Sequence, residues 1–289
     1  MFKLFLGAAC IGFAPIFVKL IDMEPSPLGF YRCFMAFIFL SLYIVITTRF
    51  KAWRWSKEIY KLVFFAGALF ALDLFVWHRS VIYAGAGLGT ILGNTQVFYV
   101  ALIGVVFYRE KITALFVFSV LLAFLGIYLL VAYRVSEIEN PHYAMGVAYG
   151  LFTGIVYASY ILVIRKIEGL SDKAPTEQVL AGVSAVCAFF LFIVSYFEGT
   201  LRWPVGLEWG WLVALSLVAQ VMGWLLITKT LPKTPASRAG LILNAQPVVA
   251  VIAGNLILHE KLNFTQVIGA VITLIAIYVG THRKQFKKI

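Results

Sequence analysis

One acidic side chain stands alone in an apolar stretch of the sequence. Asp73 lies in ALFALDLFVWH, with apolar residues for several positions on either side. An unpaired charge is costly in an apolar environment, so its carboxyl group must face other protein groups or a water-filled cavity. It could load and unload a proton, or it could form a structural hydrogen bond or an ion pair with Arg32 or Lys19. Asp73 is therefore a candidate proton site, and Lys19 and Arg32 are candidate anion sites.

Two rings follow Asp73 closely. Trp77 lies four residues further on and therefore on the same helix face, where its ring could contact a cationic or amphipathic solute. His78 lies about 100° away around the helix. The alternative is that Trp77 belongs to an interfacial belt and that His78, beside Arg79, marks the membrane surface.

A longer phrase with amides occurs twice in the chain. The stretch LGNTQVFYVALIGVVFYREKIT (92–113) and the stretch ILNAQPVVAVIAGNLILHEKLN (242–263) share Asn, Gln, Gly and Glu-Lys at an offset of 150 residues. The pairs are Asn94 with Gln96 and Asn244 with Gln246, and two positions are about 200° apart on a helix. At most one amide of each pair therefore lines a cavity, while the other forms bonds between helices.

The second copy has a proline that the first copy lacks. Pro247 removes a backbone donor and crowds the carbonyl of Leu243, whereas the matching position is Val97. This asymmetry predicts a kink in the second helix where the first helix need not bend. With Tyr99 and the same-face pair Gln220 and Trp224, the candidate cavity residues are Asp73, Trp77, His78, Asn94, Gln96, Tyr99, Gln220, Trp224, Asn244 and Gln246.

The composition indicates what must hold these residues. Of 289 residues, 62% are hydrophobic and 13% are charged, with a mean hydropathy of +0.93, whereas soluble domains are about 25% charged. The net charge of +11 lies in short clusters between apolar runs rather than on one face, which argues against nucleic acid as a partner. The chain is predicted to be an all-α integral membrane protein in the lipid bilayer.

Ten apolar runs have the length of about 20 residues that a spanning helix needs. Of the 24 Lys and Arg residues, 18 fall in every second connecting segment, which places both termini in the cytoplasm. The predicted spans are 2–21, 28–47, 60–80, 84–107, 113–133, 144–165, 177–197, 208–229, 236–258 and 264–281.

The repeat also has a topological meaning. An offset of 150 residues carries five predicted helices, and five is odd, so the second copy enters the membrane in the opposite orientation. We expect two inverted five-helix repeats, 1–137 and 138–289. Inverted halves are typical of secondary transporters, whose site lies between the repeats near the midplane.

Two further features could serve either packing or gating. Glycines recur every fourth residue at 85, 89 and 93 and at 146, 150 and 154, a spacing that lets helices approach closely or dimerise. Glu110-Lys111 and Glu260-Lys261 follow the two repeated helices. They could anchor tight turns at the interface, or they could latch a gate.

Other classes of protein lack support in the residues. The sequence has no Gly-x-x-x-x-Gly-Lys-Ser/Thr loop and no His-Glu-x-x-His motif, which argues against ATP-driven transport by this chain and against a zinc enzyme. Cys10, Cys33 and Cys187 lie in apolar segments without metal-ligand spacing and are expected in the core. No cofactor or metal is expected.

The quoted repeats, with ALDLFVWHRSVIYAGAGLGTILGN before the first, resemble EamA-type members of the drug/metabolite transporter superfamily over nearly the whole chain. The resemblance implies a ten-helix carrier of the plasma membrane, expected to be a bacterial inner membrane, that moves small metabolites, often amino acids and often outward. Such proteins commonly have a proline in both halves, and Val97 departs from that pattern.

The function expected is export of amino acids or other small metabolites by alternating access, either as secondary active transport coupled to protons or as facilitative transport. The alternative is an exchanger or importer of a larger metabolite such as a nucleotide derivative, if Lys19 and Arg32 face the cavity with Trp77. The expected partners are lipid, a small-molecule substrate and protons, and the chain is a monomer or a homodimer.

Overall fold

The structure, a computed structural model, describes residues 1–48, 55–84, 89, 92–135, 141–170, 174–259 and 263–281. These residues form helices and no strand. A π-helical segment spans Ser216–Gly223, and a short 3₁₀ turn spans Leu231–Lys233. The helices are α1 (Phe2–Gly12), α2 (Ala14–Leu20), α3 (Pro25–Thr48), α4 (Lys57–Ala84), α5 (Gln96–Tyr108), α6 (Ala114–Val135), α7 (Tyr143–Gly169), α8 (Thr176–Phe197), α9 (Glu208–Leu215), α10 (Trp224–Thr228), α11 (Ala236–Leu243), α12 (Ala245–Leu258) and α13 (Phe264–Thr281).

Among the residues that the structure describes, eight apolar segments are long enough to cross a membrane, and two are shorter. The short segments are Gln96–Tyr108 and Ala114–Leu129. The prediction of an all-α protein with many membrane spans is confirmed. The long ones are Phe2–Leu20, Pro25–Thr47, Lys57–Ala84, Tyr143–Gly169, Thr176–Phe197, Glu208–Lys233, Ala236–Ile257 and Phe264–Thr281.

Both repeated helices are interrupted, so the asymmetry expected from Val97 and Pro247 is wrong. The first is broken by a turn at Asn94 and Thr95, and the second by a turn at Asn244. The backbone N–H of Thr95 donates to the carbonyl of Leu92 at 3.1 Å, and its hydroxyl donates to the same oxygen. A side chain that competes for backbone groups in this way can end a helical turn without proline.

The halves interlock through helices of both repeats. The most extensive helix pairs are α6 with α13, α4 with α7, and α3 with α8, and each pair joins one helix from either side of residue 138. Small residues permit the closeness: a Cβ on Gly126 would lie 2.7 Å from the carbonyl oxygen of Gly269. The ridge of Gly146, Gly150 and Gly154 packs against the end of α4 and the turn near Leu92.

Charged groups gather at two ends of the helix bundle. One end, here the Glu110 end, contains the ion pairs Arg165–Glu110, Lys166–Glu58 and Lys229–Glu177. The other, the Arg202 end, contains Arg79–Glu198 and Arg202–Glu208. The pairs at the Glu110 end lie in or beside the connecting segments that hold most of the Lys and Arg residues, and the pairs at the Arg202 end lie in or beside the segments between them.

The end of each repeated helix explains part of the duplicated phrase. Arg109 and His259 both adopt a left-handed conformation, with φ of 51° and 54°, and the carbonyls of Gly104 and Gly254 accept the closing backbone bonds. A Cβ on Gly104 would lie 2.8 Å from Glu110 Oε2. Glycine is therefore needed there to leave room for the carboxylate.

The three cysteines are free thiols in the structure. Cys33 and Cys187 are fully buried, with sulfurs 3.3 Å apart, and Cys10 is partly buried. Glu260-Lys261, Gly85 and the basic tail 282–289 lie outside the described residues.

Candidate functional site

A central cavity lies between the two halves of the chain. Its volume is about 100 Å³, several times the roughly 10–15 Å³ that one water needs. It has room for ordered waters or for part of a small solute. Its lining residues include Gly12, Pro15, Arg32, Phe70, Asp73, Trp77, Asn94, Thr153, Tyr157, Trp224, Gln246 and Pro247.

Asp73 forms the acidic part of this lining. It is 7% exposed, and its Oδ1 atom has no hydrogen-bond partner among the described residues. Arg32 interacts with it electrostatically from α3. A buried carboxylate oxygen without a partner is rare in folded proteins, so Asp73 can accept a proton or a donor group from a solute.

Arg32 forms the basic part and is held from the π-helical segment. It is 3% exposed, and its Nε donates to Gln220 Oε1 at 3.0 Å. The hydroxyl of Ser216 donates to the backbone carbonyl of Arg32, also at 3.0 Å. A π-helical segment is rare and is often found at functional sites. The bond to Gln220 uses one of the five guanidinium donors and orients the others.

The four amides of the repeated phrase divide between the cavity and the packed interior. Asn94 and Gln246 line the cavity. Gln96 donates from Nε2 to the carbonyl of Gly240 at 3.0 Å, so it joins α5 to α11. Asn244 is fully buried, and neither atom of its side-chain amide has a hydrogen-bond partner among the described residues. Each pair thus contributes one amide to the cavity.

Aromatic rings complete the lining. Trp77 comes from α4, Tyr157 from α7 and Trp224 from α10. The Tyr157 hydroxyl accepts a bond from Gln246 Nε2 at 3.0 Å, and the rings of Tyr157 and Trp224 meet edge to face at 6.1 Å. Trp224 Nε1 has no hydrogen-bond partner in the described part of the chain. Ring faces of this kind suit an ammonium group or an apolar side chain.

Besides Gln96, Asn244 and Gln220, three further candidates do not line the central cavity. His78 lines a second cavity, near Asp22 and Arg202 at the Arg202 end. Tyr99 is half-buried against a small apolar cluster. Lys19 is exposed and is not among the residues that line the central cavity.

Some lining residues were missed by the sequence analysis. Thr153 and Tyr157 lie four residues apart on α7, a spacing that places polar groups on one face. That spacing beside the glycine ridge was a usable signal. Pro15 follows a break in the first span at Phe13, and a proline inside a predicted helix was also a signal.

The arrangement suits recognition better than catalysis. A carboxylate, a guanidinium and two neutral amides can bind a small polar molecule through hydrogen bonds and charge, without forming a covalent bond to it. Among the described residues, no group of three or more His, Cys, Asp or Glu side chains could hold a metal ion.

Known proteins resemble this chain in fold and in sequence. A solved crystal structure matches 97% of each chain with a TM-score of 0.82 and 15% identity, which shows a shared fold. An uncharacterized transporter of Archaeoglobus fulgidus is 25% identical over 268 residues, which are 91% of this chain and 90% of that protein. The uncharacterized transporter YxxF of Bacillus subtilis is 21% identical over 288 residues, 99% of this chain and 90% of that protein.

The family comparison covers both halves of the chain. The EamA-like transporter family matches residues 1–132 and again residues 144–281. The two matches in tandem explain why the phrase occurs twice. The apolar helices are those of a multi-pass membrane protein. The chain therefore belongs to the EamA-like transporter family.

Proposed function

We propose that the protein is a secondary carrier that exports amino acids or other small zwitterionic metabolites through the central cavity. The observation that carries this proposal is the pairing of Arg32 and Asp73 in one cavity between the two halves. A guanidinium recognises a carboxylate with two parallel hydrogen bonds. A carboxylate attracts an ammonium group, so the two side chains together fit a zwitterion.

The single carboxylate among the described residues of the cavity lining also suggests how transport is coupled to protons. Asp73 can hold either a proton or the ammonium group of the solute, but not both at once. Competition for one carboxylate couples export of the solute to entry of a proton, because the site must release one before it binds the other. The amides of Asn94 and Gln246 bind without net charge and allow release on the far side.

Alternating access follows from the two halves, 1–137 and 138–289, if they are inverted. Helices with interrupted backbones at the midplane are a recurring feature of such carriers. Here the interruptions fall at Asn94, which lines the cavity, and at Asn244, two residues before Gln246 in the lining. Rocking of one half against the other would expose the same site to each side in turn.

The charge bias supports an orientation with the Glu110 end and both termini on the cytoplasmic side of the membrane. A phosphatase reporter that needs the periplasm, fused after Ile289, should be inactive, and a cytoplasmic fluorescent reporter at the same position should be active. Activity of the phosphatase fusion would contradict the orientation.

The alternative, exchange of a nucleotide derivative, requires more positive charge than the cavity holds. Arg32 is the one cation among the described residues that line it. A nucleotide phosphate carries more than one negative charge, so a single guanidinium beside Asp73 favours a carboxylate with a neighbouring ammonium.

A thermal-shift screen of the purified protein tests the proposal. The panel contains matched sets of one zwitterion, its amine without the carboxylate, and its acid without the ammonium. We expect the melting temperature to rise with zwitterions and to change less with either single-charge analogue, because only the zwitterion pairs with both Arg32 and Asp73. Stabilisation by nucleotides alone would contradict the proposed substrate class.

A further inference from the structure

The two copies of the Asn-x-Gln element are equivalent in sequence but make different contacts. The first copy presents Asn94 to the cavity and uses Gln96 to bond the carbonyl of Gly240. The second copy presents Gln246 to the cavity, where it bonds the hydroxyl of Tyr157. Equivalent residues of two repeats therefore lie in opposite environments.

The side chain of Asn244 is buried without hydrogen bonds to its amide group from the residues that the structure describes. It is fully buried, yet neither its Oδ1 nor its Nδ2 has a hydrogen-bond partner in the described ranges. Buried amides are nearly always paired. Its counterpart, Asn94, already lies at the cavity. An arrangement in which Asn244 reached the cavity would satisfy its amide with water or solute.

The contact that keeps Gln96 away from the cavity lies toward the Glu110 end. Besides its bond to Gly240, α5 packs tightly on α11, since a Cβ on Gly240 would lie 3.3 Å from Val100 Cβ and from Val97 Cα. Separation of α5 from α11 would break this contact and free the amide of Gln96.

Glu110 holds α5 and α11 together across the two halves. Its carboxylate accepts bonds from the backbone N–H of Ala236 at 2.5 Å, the N–H of Ser237 at 3.0 Å and the hydroxyl of Ser237 at 2.6 Å. Arg165 lies 3.9 Å from the same carboxylate. The carboxylate satisfies the first turn of α11, where a negative charge is also favoured by the helix dipole.

We infer that the two Asn-x-Gln elements exchange roles when the protein opens toward the Glu110 end. Asn244 and Gln96 then contact the solute, Asn94 and Gln246 withdraw, and Glu110 is the latch that stabilises the arrangement observed here. The inference rests on the proposed alternating access, because equivalent residues of inverted halves interchange environments between the two end states.

Cysteine labelling tests the exchange without a known solute. Single cysteines replace Asn94, Gln96, Asn244 or Gln246 in a background with Cys10→Ala, Cys33→Ala and Cys187→Ala, and a water-soluble maleimide is the probe. With Glu110 present, positions 94 and 246 should label faster than positions 96 and 244. Glu110→Gln should raise labelling at 96 and 244 several-fold and lower it at 94 and 246, because the latch no longer favours one state.

Two further variants make the outcome decisive. Ser237→Ala removes one bond to Glu110 and should shift labelling in the same direction by less, and it serves if Glu110→Gln fails to fold. Glu58→Gln removes an exposed ion pair at the same end and should change nothing. If Glu110→Gln raised maleimide labelling at all four positions, or left labelling at position 244 unchanged, the exchange would be overturned. Because no solute is used, either result is separate from a failure of transport.

Discussion

Replacement of Arg32 by glutamine should weaken binding of a zwitterionic solute roughly 30-fold or more. Loss of one partner of a buried, hydrogen-bonded charge pair costs about 2 kcal/mol or more, and each 1.4 kcal/mol is about tenfold in affinity. The affinity of Arg32→Lys should lie between those of the wild type and of Arg32→Gln, because lysine keeps the charge but loses the planar fork that Gln220 orients. Tryptophan fluorescence titration with a zwitterion from the thermal-shift panel measures the affinity.

The controls separate recognition from folding. Arg79→Gln changes an arginine that lies outside the central lining and pairs with Glu198, so it should keep the wild-type affinity. Arg32→Gln with Asp73→Asn removes both buried charges and should restore folding if the single variant is unstable. Wild-type affinity in a folded Arg32→Gln protein would show that the guanidinium does not bind the solute.

Replacement of Asp73 by asparagine should remove the effect of pH on transport. In the wild type, acid protonates Asp73 and removes its attraction for the solute ammonium, so solute affinity should fall as pH falls. An amide neither titrates nor attracts an ammonium as a carboxylate does, so Asp73→Asn should bind weakly at every pH. It should also lose uphill transport driven by a proton gradient.

The measurement is solute uptake into proteoliposomes with and without an imposed proton gradient, over a range of pH. Glu198→Gln is the matched control, since Glu198 is a carboxylate that pairs with Arg79 away from the central cavity. A wild-type rate with unchanged pH dependence in Asp73→Asn would contradict the role of Asp73 in coupling.

Much of the architecture was predictable because the bilayer imposes simple rules on length and composition. The runs around Asp73 and in the two repeated phrases are apolar enough to read as helices, and the structure has helices there. The interruption at Asn94 and Thr95 was not predictable from proline, because a threonine side chain made the competing bonds. A local hydrogen bond of this kind leaves no periodic signal.

The cavity could be predicted only as a set of candidates. Asp73, Trp77 and Asn94 stood out as polar or aromatic groups in apolar helices, and the structure places all three in one lining. The bond from Arg32 to Gln220 joins residues 188 positions apart and depends on the π-helical register of Ser216–Gly223. Helix faces counted at 3.6 residues per turn do not find such a pair.

The role of Glu110 shows the same limit. Its repetition at 260 predicted a tight turn after each repeated helix, and Arg109 and His259 both adopt the left-handed conformation there. That its carboxylate bonds the start of α11, in the other half of the chain, depends on tertiary packing alone.

Counterflow in proteoliposomes tests the central claim, that this cavity carries a solute by alternating access. Vesicles are loaded with a stabilising zwitterion from the screen, and entry of a trace of the same labelled solute is followed. A carrier should give transient, saturable accumulation above the outside concentration, and Arg32→Gln should abolish it. Uptake that rises without saturation, or that is equal in vesicles with and without internal solute, would contradict the account.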